Sequence, residues 1–331
     1  MPKNDLALIL TTRCNFHCKH CLREYYTEHH EPEMSLLKRV LLEAYDLGFD
    51  HVGITGGEPV LCPNFFELIE FLVENDFTWS VPSNGSLYKL YDQTIDIDRD
   101  AFKSIRLSFD GGTKATHDFI RQSGSFELLL EALEHYLEMG VKVGIAYTVN
   151  SKNIEEIDKI IGIAEEYSID YLDFGAIIPA GHNLDLQVSW DQRLDVFERI
   201  QELREKEYPF QIGHANSLYA SPGVDNFCKL INDHKPVINP FSEYVFCCDT
   251  VGQGAVLGSL KEEPFSNLYL KGLKKAAQVK RIRAELIRKK TYFKGFNSCH
   301  FCNLVLEDLV KKQTEYQIEN QHTVEVDSIA A

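Results

Sequence analysis

Apolar runs rich in β-branched and aromatic residues alternate with helix-periodic segments through the first two-thirds of this chain. The runs are 6–10, 51–55, 78–81, 104–109, 141–149 and 171–177. Between most of them lie segments of helical period at 35–47, 65–74, 126–139 and 154–166. Such β-α alternation predicts an α/β fold with a parallel sheet and helices packed on it. Six strands are too few to close an eight-stranded barrel, so the spacing predicts an open, partial (β/α)6 barrel. A further helix, 191–206, leads out of this core. From about residue 209 the pattern changes to short strand-like pieces at 210–213, 244–248 and 255–258, followed by a basic helical run and a cysteine pair. The expected organisation is a catalytic core over 1–208, a small α+β domain over 209–312 and a polar tail over 313–331 without structure of its own.

The net charge of −16 over 331 residues disfavours general nucleic-acid binding, which needs lysine and arginine against phosphates. The basic run 274–290 is the local exception; it reads as a helix with a solvated face, or as a docking patch for an acidic redox partner. No stretch approaches the roughly 18 uncharged apolar residues of a membrane span, and the apolar run at 6–10 lacks the long middle and cleavage site of a signal peptide. The expectation is a cytoplasmic protein with no membrane contact. Nine cysteines, an odd number in a chain of this size, argue against a disulfide framework. Their grouping into one early triplet and one late set argues for metal.

The early set is Cys14-Asn-Phe-His-Cys18-Lys-His-Cys21, in a loop directly after the first strand. Three thiolates hold three irons of a [4Fe–4S] cube and leave the fourth iron open to a cofactor or substrate. Zinc, completed by His17 or His20, is the competing reading, but structural zinc prefers paired C-x2-C spacing and four closed ligands. Thr55-Gly56-Gly57-Glu58-Pro59 follows the second strand: glycines let the backbone approach a ligand closely, and Glu58 offers an acceptor for an ammonium.

These motifs resemble those of the radical S-adenosylmethionine (SAM) superfamily. The resemblance implies that Cys14, Cys18 and Cys21 carry the SAM-binding cluster and that the segment Thr55, Gly56, Gly57 and Glu58 meets the amino group of SAM. The fourth strand ends in Ser108-Phe-Asp110-Gly111, followed by His117-Asp118-Phe-Ile-Arg121. By the same resemblance Ser108, Asp110 and Arg121 belong to the SAM pocket, Ser108 and Arg121 binding the methionine carboxylate and ribose. Arginine suits a carboxylate because it gives two parallel hydrogen bonds. His20 stands where the family usually has an aromatic residue near adenine. Ser83 and Asn84, at the end of the third strand, are further pocket candidates, with a plain turn as the alternative. Ile177, at the sixth-strand exit before Pro179 and Gly181, is placed beside the adenine. Cys62 reads as a packed thiol.

The late set is Cys228, Cys247-Cys248 and Cys299-His-Phe-Cys302. Its order resembles the twitch domain, a short form of the SPASM domain, and implies one auxiliary [4Fe–4S] cluster closed by four thiolates. The glycine usual before the second ligand is missing; Ser242 and Glu243 occupy that region. A four-thiolate zinc site is the rival. Either Cys247 or Cys248 is the ligand; alignment on Val245 favours Cys248 and makes Asp249 a candidate general base. The implied activity is reductive cleavage of SAM to a 5′-deoxyadenosyl radical, followed by hydrogen abstraction from a substrate. Relatives of this domain order modify peptides or proteins, and a few oxidise small molecules. A peptide maturase is the favoured expectation, a small-molecule dehydrogenase the second, and a non-catalytic iron–sulfur or zinc protein the third. An electron donor of the flavodoxin or ferredoxin type is implied as partner.

Overall fold

The computed structural model describes residues 5–22, 28–178, 182–215, 217–218, 234–247, 256–288, 291–293, 299 and 323–325. Its centre is a run of seven parallel strands in chain order. These are β1 (Asp5–Thr11), β2 (His51–Gly56), β3 (Thr78–Ser83), β4 (Phe102–Phe109), β5 (Val143–Val149), β6 (Tyr171–Ala176) and β7 (Gln211–His214). Each crossover carries helix: α1 (Met34–Asp46), α2 (Phe65–Glu74), α3 (Asp92–Ile95), α4 (Lys114–Ile120), α5 (Ser125–Glu138), α6 (Ile157–Glu166) and α7 (Trp190–Arg204). The α/β class and the parallel sheet are as expected.

One expected strand changes place: the piece expected at 210–213 in the small C-terminal domain is the seventh strand of the core sheet. Gln211–His214 pairs in parallel with β6, Leu172 opposite Ile212, so it continues the sheet across the boundary expected at residue 208. Only four residues long, it carries no pattern that tells which sheet it joins. The sheet does not close. Instead β8 (Val237–Ile238) takes the free edge of β1 in parallel, and β9 (Glu243–Val245) and β10 (Val256–Ser259) follow antiparallel. The C-terminal strands therefore extend the same sheet at its β1 edge.

The first strand is buried on both faces, every residue after Asp5 being buried, which is why it reads as a continuous apolar run; β3 and β6 instead alternate buried and half-buried residues. One core cluster joins Leu6 and Leu8 of β1 to Leu37 and Leu41 of α1, Trp79 of β3, Tyr147 of β5 and Ile200 of α7. Cys62 lies in it at 4% exposure, with its thiol pushed up to about 11 by burial. The basic run forms α8 (Phe265–Arg288), which buries Phe265, Leu268, Ala276 and Val279 and exposes Lys274, Lys280 and Arg281. This helix is tied back to α1: the Phe265 N–H donates to Glu43 Oε2 at 2.7 Å, and Arg39 Nη2 donates to the Leu260 carbonyl at 2.8 Å. In the tail, β12 (Thr323–Glu325) pairs antiparallel with β11 (Thr291–Phe293), a strand pair that the tail's polar composition did not announce. Among the described residues no helix is long and apolar enough to cross a membrane.

Candidate active site

Parallel strands share one direction, so the loops leaving β1, β2, β3, β4 and β6 meet at one end of the sheet, where sites of such folds form. The cysteine loop, 12–21, leaves β1 there and is tied from several sides. Glu31 Oε1 accepts from Thr11 Oγ1 at 2.8 Å and from Arg13 Nε at 2.7 Å. The Lys19 N–H donates to the Ile120 carbonyl at 2.9 Å, joining the loop to the end of α4. Asn183 Nδ2 donates to the His20 carbonyl at 3.4 Å, joining it to the β6 exit. Asn84 Nδ2 donates to Asn15 Oδ1 at 3.0 Å, joining it to β3. The three thiols lie close enough for Cys14 and Cys21 to raise Cys18. Burial is the larger cause and pushes the Cys18 thiol up to about 12; Cys14 is raised for the same reason. No group of three or more His, Cys, Asp or Glu among the described residues converges as a single ion requires.

The glycines after β2 serve the chain itself. The Gly57 N–H donates to the Thr11 carbonyl at 2.8 Å, and the Glu58 N–H to the Arg13 carbonyl at 2.7 Å. A Cβ on Gly57 would stand 2.0 Å from the Arg13 oxygen and 3.0 Å from Cys14 Cβ. At Gly56, φ +156°, a Cβ would meet the Thr11 oxygen at 2.6 Å. Only hydrogen fits between this turn and the cysteine loop.

Glu58 turns inward. Its carboxylate accepts from Ser83 Oγ at 2.7 Å, Tyr91 Oη at 2.6 Å and the Asn84 N–H at 2.9 Å, at 1% exposure. Burial raises its pKa, and these three donors oppose the rise. A carboxylate has about four acceptor positions, so three are spent inside the protein. The sequence reading, which gave Glu58 an ammonium to bind, does not contain this engagement. Tyr91, which ends a short 3-10 turn just before α3, was missed because a lone tyrosine there carries no signal.

At the β4 exit the arrangement is different. Asp110 is fully buried, and Arg121 Nε donates to its Oδ2 at 2.5 Å. His20 Nε2 stands 3.6 Å from the same oxygen. The Asp110 N–H donates to His117 Nδ1 at 3.2 Å, and Asn153 Nδ2 donates to its carbonyl at 2.9 Å. Burial pushes the Asp110 carboxyl up, but Arg121, His20 and His117 outweigh it and hold it below its ordinary value. His117 is lowered to about 4, mainly by burial, so it is neutral near pH 7. Since its Nδ1 accepts, its proton sits on Nε2. That Nε2, Asp110 Oδ1 and His20 Nδ1 are all buried without a hydrogen-bond partner among the described residues. The Arg121 side chain is 9% exposed, and its two terminal nitrogens make no hydrogen bond among the described residues.

The structure thus gathers Cys14, Cys18, Cys21, His20, Asp110 and Arg121. Thr55 and Ser108 are half-buried on β2 and β4, and among the described residues the Ser108 side chain makes no hydrogen bond. Ser83 and Asn84 are spent on Glu58 and Asn15. Ile177 is 3% exposed and packs with Ile120 and Leu186, which closes the space between α4 and the β6 exit. Of the late set, Cys247 and Cys299 are half-buried. Cys228, Cys248, Cys302 and Asp249 lie outside the described residues, as do Pro179 and Gly181.

Residues 8–164 match the family described as the radical SAM superfamily. Fe-coproporphyrin III synthase of Methanosarcina barkeri is 29% identical over 220 residues, 61% of this chain and 53% of that one. Mycofactocin maturase MftC of Mycobacterium tuberculosis is 27% identical over 197 residues, 57% and 49% of the two chains. The chain spans about half the length of these curated relatives. A probable GTP 3′,8-cyclase of Saccharolobus islandicus is 24% identical over 253 residues, 74% of this chain and 77% of that one. Among solved structures, Streptococcus suis SuiB bound to S-adenosylmethionine superposes with a TM-score of 0.67 at 15% identity, covering 80% of this chain and 65% of that one. The anSMEcpe structure with bound AdoMet also gives 0.67, at 16% identity and 83% of each chain. These likenesses establish the fold.

Proposed function

Starting from a chain that carries a radical SAM domain over residues 8–164, we propose that it binds a [4Fe–4S] cluster through Cys14, Cys18 and Cys21, binds SAM beside it, and modifies a peptide or protein. The observation that carries the reading is the union, at one end of the sheet, of the cysteine loop with the Arg121–Asp110 pair and its bare polar atoms. Three thiols fit three irons of a cube and leave the fourth iron open. Bound there, the reduced cluster and SAM supply a 5′-deoxyadenosyl radical able to take hydrogen from an unactivated carbon.

The chain's own residues do the rest. The terminal nitrogens of Arg121 offer a carboxylate two parallel donors, and Asp110 on Nε fixes the plane of the guanidinium. His20 faces Asp110 from the cysteine loop, which suits it to lie against a purine. Ile177, Ile120 and Leu186 keep water from that side. Glu58 holds the turn that supports Cys14. In the same proposal the region 209–312 holds an auxiliary cluster on Cys228, Cys247 or Cys248, Cys299 and Cys302, with Asp249 as a base for the substrate. A flavodoxin- or ferredoxin-type protein supplies electrons.

The likeness to mycofactocin maturase MftC supports a peptide. A small-molecule substrate is the second reading, favoured by the likeness to Fe-coproporphyrin III synthase and to a probable GTP 3′,8-cyclase. The test is anaerobic reconstitution with iron and sulfide, then dithionite and SAM. Chromatography should detect 5′-deoxyadenosine, and replacing Cys14, Cys18 and Cys21 together by alanine should abolish it. Cleavage by that triple variant would refute the assignment. Candidate peptides, an iron porphyrin and GTP, each supplied in turn, separate the two readings by which one multiplies 5′-deoxyadenosine formation.

A further inference from the structure

Arg193 stands where a cation is expensive. It lies near the start of α7 on the stripe that Val196, Ile200 and Leu203 bury, and it is 5% exposed. Its Nε and Nη1 are buried with no hydrogen-bond partner, and among the described residues it makes no ion pair with a carboxylate. A guanidinium taken out of water without a counter-charge destabilises the fold that holds it. Among the described residues, the one charged group that bears on it electrostatically is Cys299. A neutral thiol gives Arg193 nothing, whereas a sulfur bound to iron is a thiolate and stays one. The start of α7 also lies at the functional end of the sheet. The helix follows β6 and runs back to enter β7, which is parallel to it.

We propose that Arg193 is the counter-charge of an anionic iron–thiolate centre anchored at Cys299 and that it raises the reduction potential of that centre. The inference rests on the auxiliary-cluster reading above. Arg193 is a positioning residue in this account: it touches neither SAM nor substrate. Its charge favours the more negative, reduced form of the centre, so removing it makes the centre harder to reduce.

The test uses the full chain with Cys14, Cys18 and Cys21 changed to alanine, reconstituted anaerobically with iron and sulfide, so that only the second centre remains. Iron content and the midpoint potential, followed by electron paramagnetic resonance, are measured in this parent and with Arg193→Met or Arg193→Lys added. Arg193→Met should shift the one-electron equilibrium tenfold or more against reduction, about 59 mV. Arg193→Lys, which keeps the charge, should stay near the parent. In the iron-free protein Arg193→Met should melt higher, because it removes an uncompensated buried charge. An unmoved potential in Arg193→Met, with iron retained, overturns the inference alone. So does equal loss of melting temperature with and without iron, which would mark a packing role. If Arg193→Met does not fold, Arg193→Gln is judged by the same potential. A parent variant that takes up zinc or no iron defeats the auxiliary-cluster reading itself, and the inference with it.

Discussion

Glu58 and Asp110 are both buried carboxylates at the same end of the sheet, yet the protein treats them in opposite ways. Glu58 is satisfied from within: Ser83, Tyr91 and Asn84 spend their donors on it, and its pKa is raised by burial. Asp110 is satisfied on one oxygen only, its pKa is lowered by Arg121 against the pull of burial, and bare polar atoms of His20 and His117 surround it. Buried polar groups are ordinarily paired, so a cluster of unpaired ones needs an explanation. Around Glu58 the network builds the scaffold. Around Asp110 it stops short, and the proposed ligand would supply the missing partners.

Five experiments would break or sharpen this contrast. The largest effect is expected on the scaffold side, where a Cβ on Gly57 would displace the Arg13 carbonyl and Cys14. Gly57→Ala should lose most of the iron that the native chain takes up, read by iron analysis after reconstitution. Full iron retention would mean that the turn does not set the cysteine loop. Next, Asp110→Asn strips the buried Arg121 of its counter-charge and should cost about 3–5 kcal/mol in urea unfolding of the iron-free protein. A loss under about 1 kcal/mol would show that the pair is solvated. Third, Arg121→Ala should weaken SAM binding by about 1.5–3 kcal/mol in calorimetry, the scale of charge-assisted hydrogen bonds, with iron unchanged. Unaltered affinity would mean that the guanidinium faces away from SAM.

Fourth, Tyr91→Phe removes one of the donors on Glu58 and should cost about 1 kcal/mol of stability. If Glu58 is purely scaffold, SAM affinity stays put; a fall in affinity larger than the stability change would place Glu58 on the ligand's side of the contrast.

The smallest effect is in the pH dependence, where the two carboxylates should pull in opposite directions. Glu58 is raised above its ordinary 4.5, so the folded chain holds that proton more tightly; the stability this lends is complete below about 4.5 and is lost as pH rises through the folded value. Asp110 is lowered below 3.8, so its contribution is present above 3.8 and is lost as pH falls through the folded value. Glu58→Gln should flatten the first slope and Asp110→Asn the second, in unfolding free energies measured across acidic pH. Slopes of the same sign would erase the distinction.

The helix α7 shows what a sequence can hide in plain view. Its stripe 193, 196, 200, 203 has helical period, and an arginine sits in it where an apolar residue is expected. The position was readable as buried, but nothing in the sequence said which group would face the charge. Tyr91, Asn153 and Asn183 had no signal at all, because a single polar residue in a loop or short turn reads as solvated. The strand at 211–214 was legible as a strand, but not as the seventh of the parallel core sheet, because four residues carry no sign of their partner.

By itself the sequence determined the α/β alternation, the cysteine loop after β1 and the segments that belong near it. These are local properties: periodicity, spacing and residue chemistry survive without knowledge of the fold. Tertiary structure alone decided how the chain spends its groups. It turned Glu58 inward, pressed Gly57 against Arg13, aimed Asp110 at Arg121 and carried β8 to the edge of β1. Each of these joins residues tens to hundreds of positions apart or separates near neighbours by direction. A one-dimensional pattern carries no term for that, and the energy that decides it, pairing or not pairing a buried polar group, exists only once the chain has closed around it.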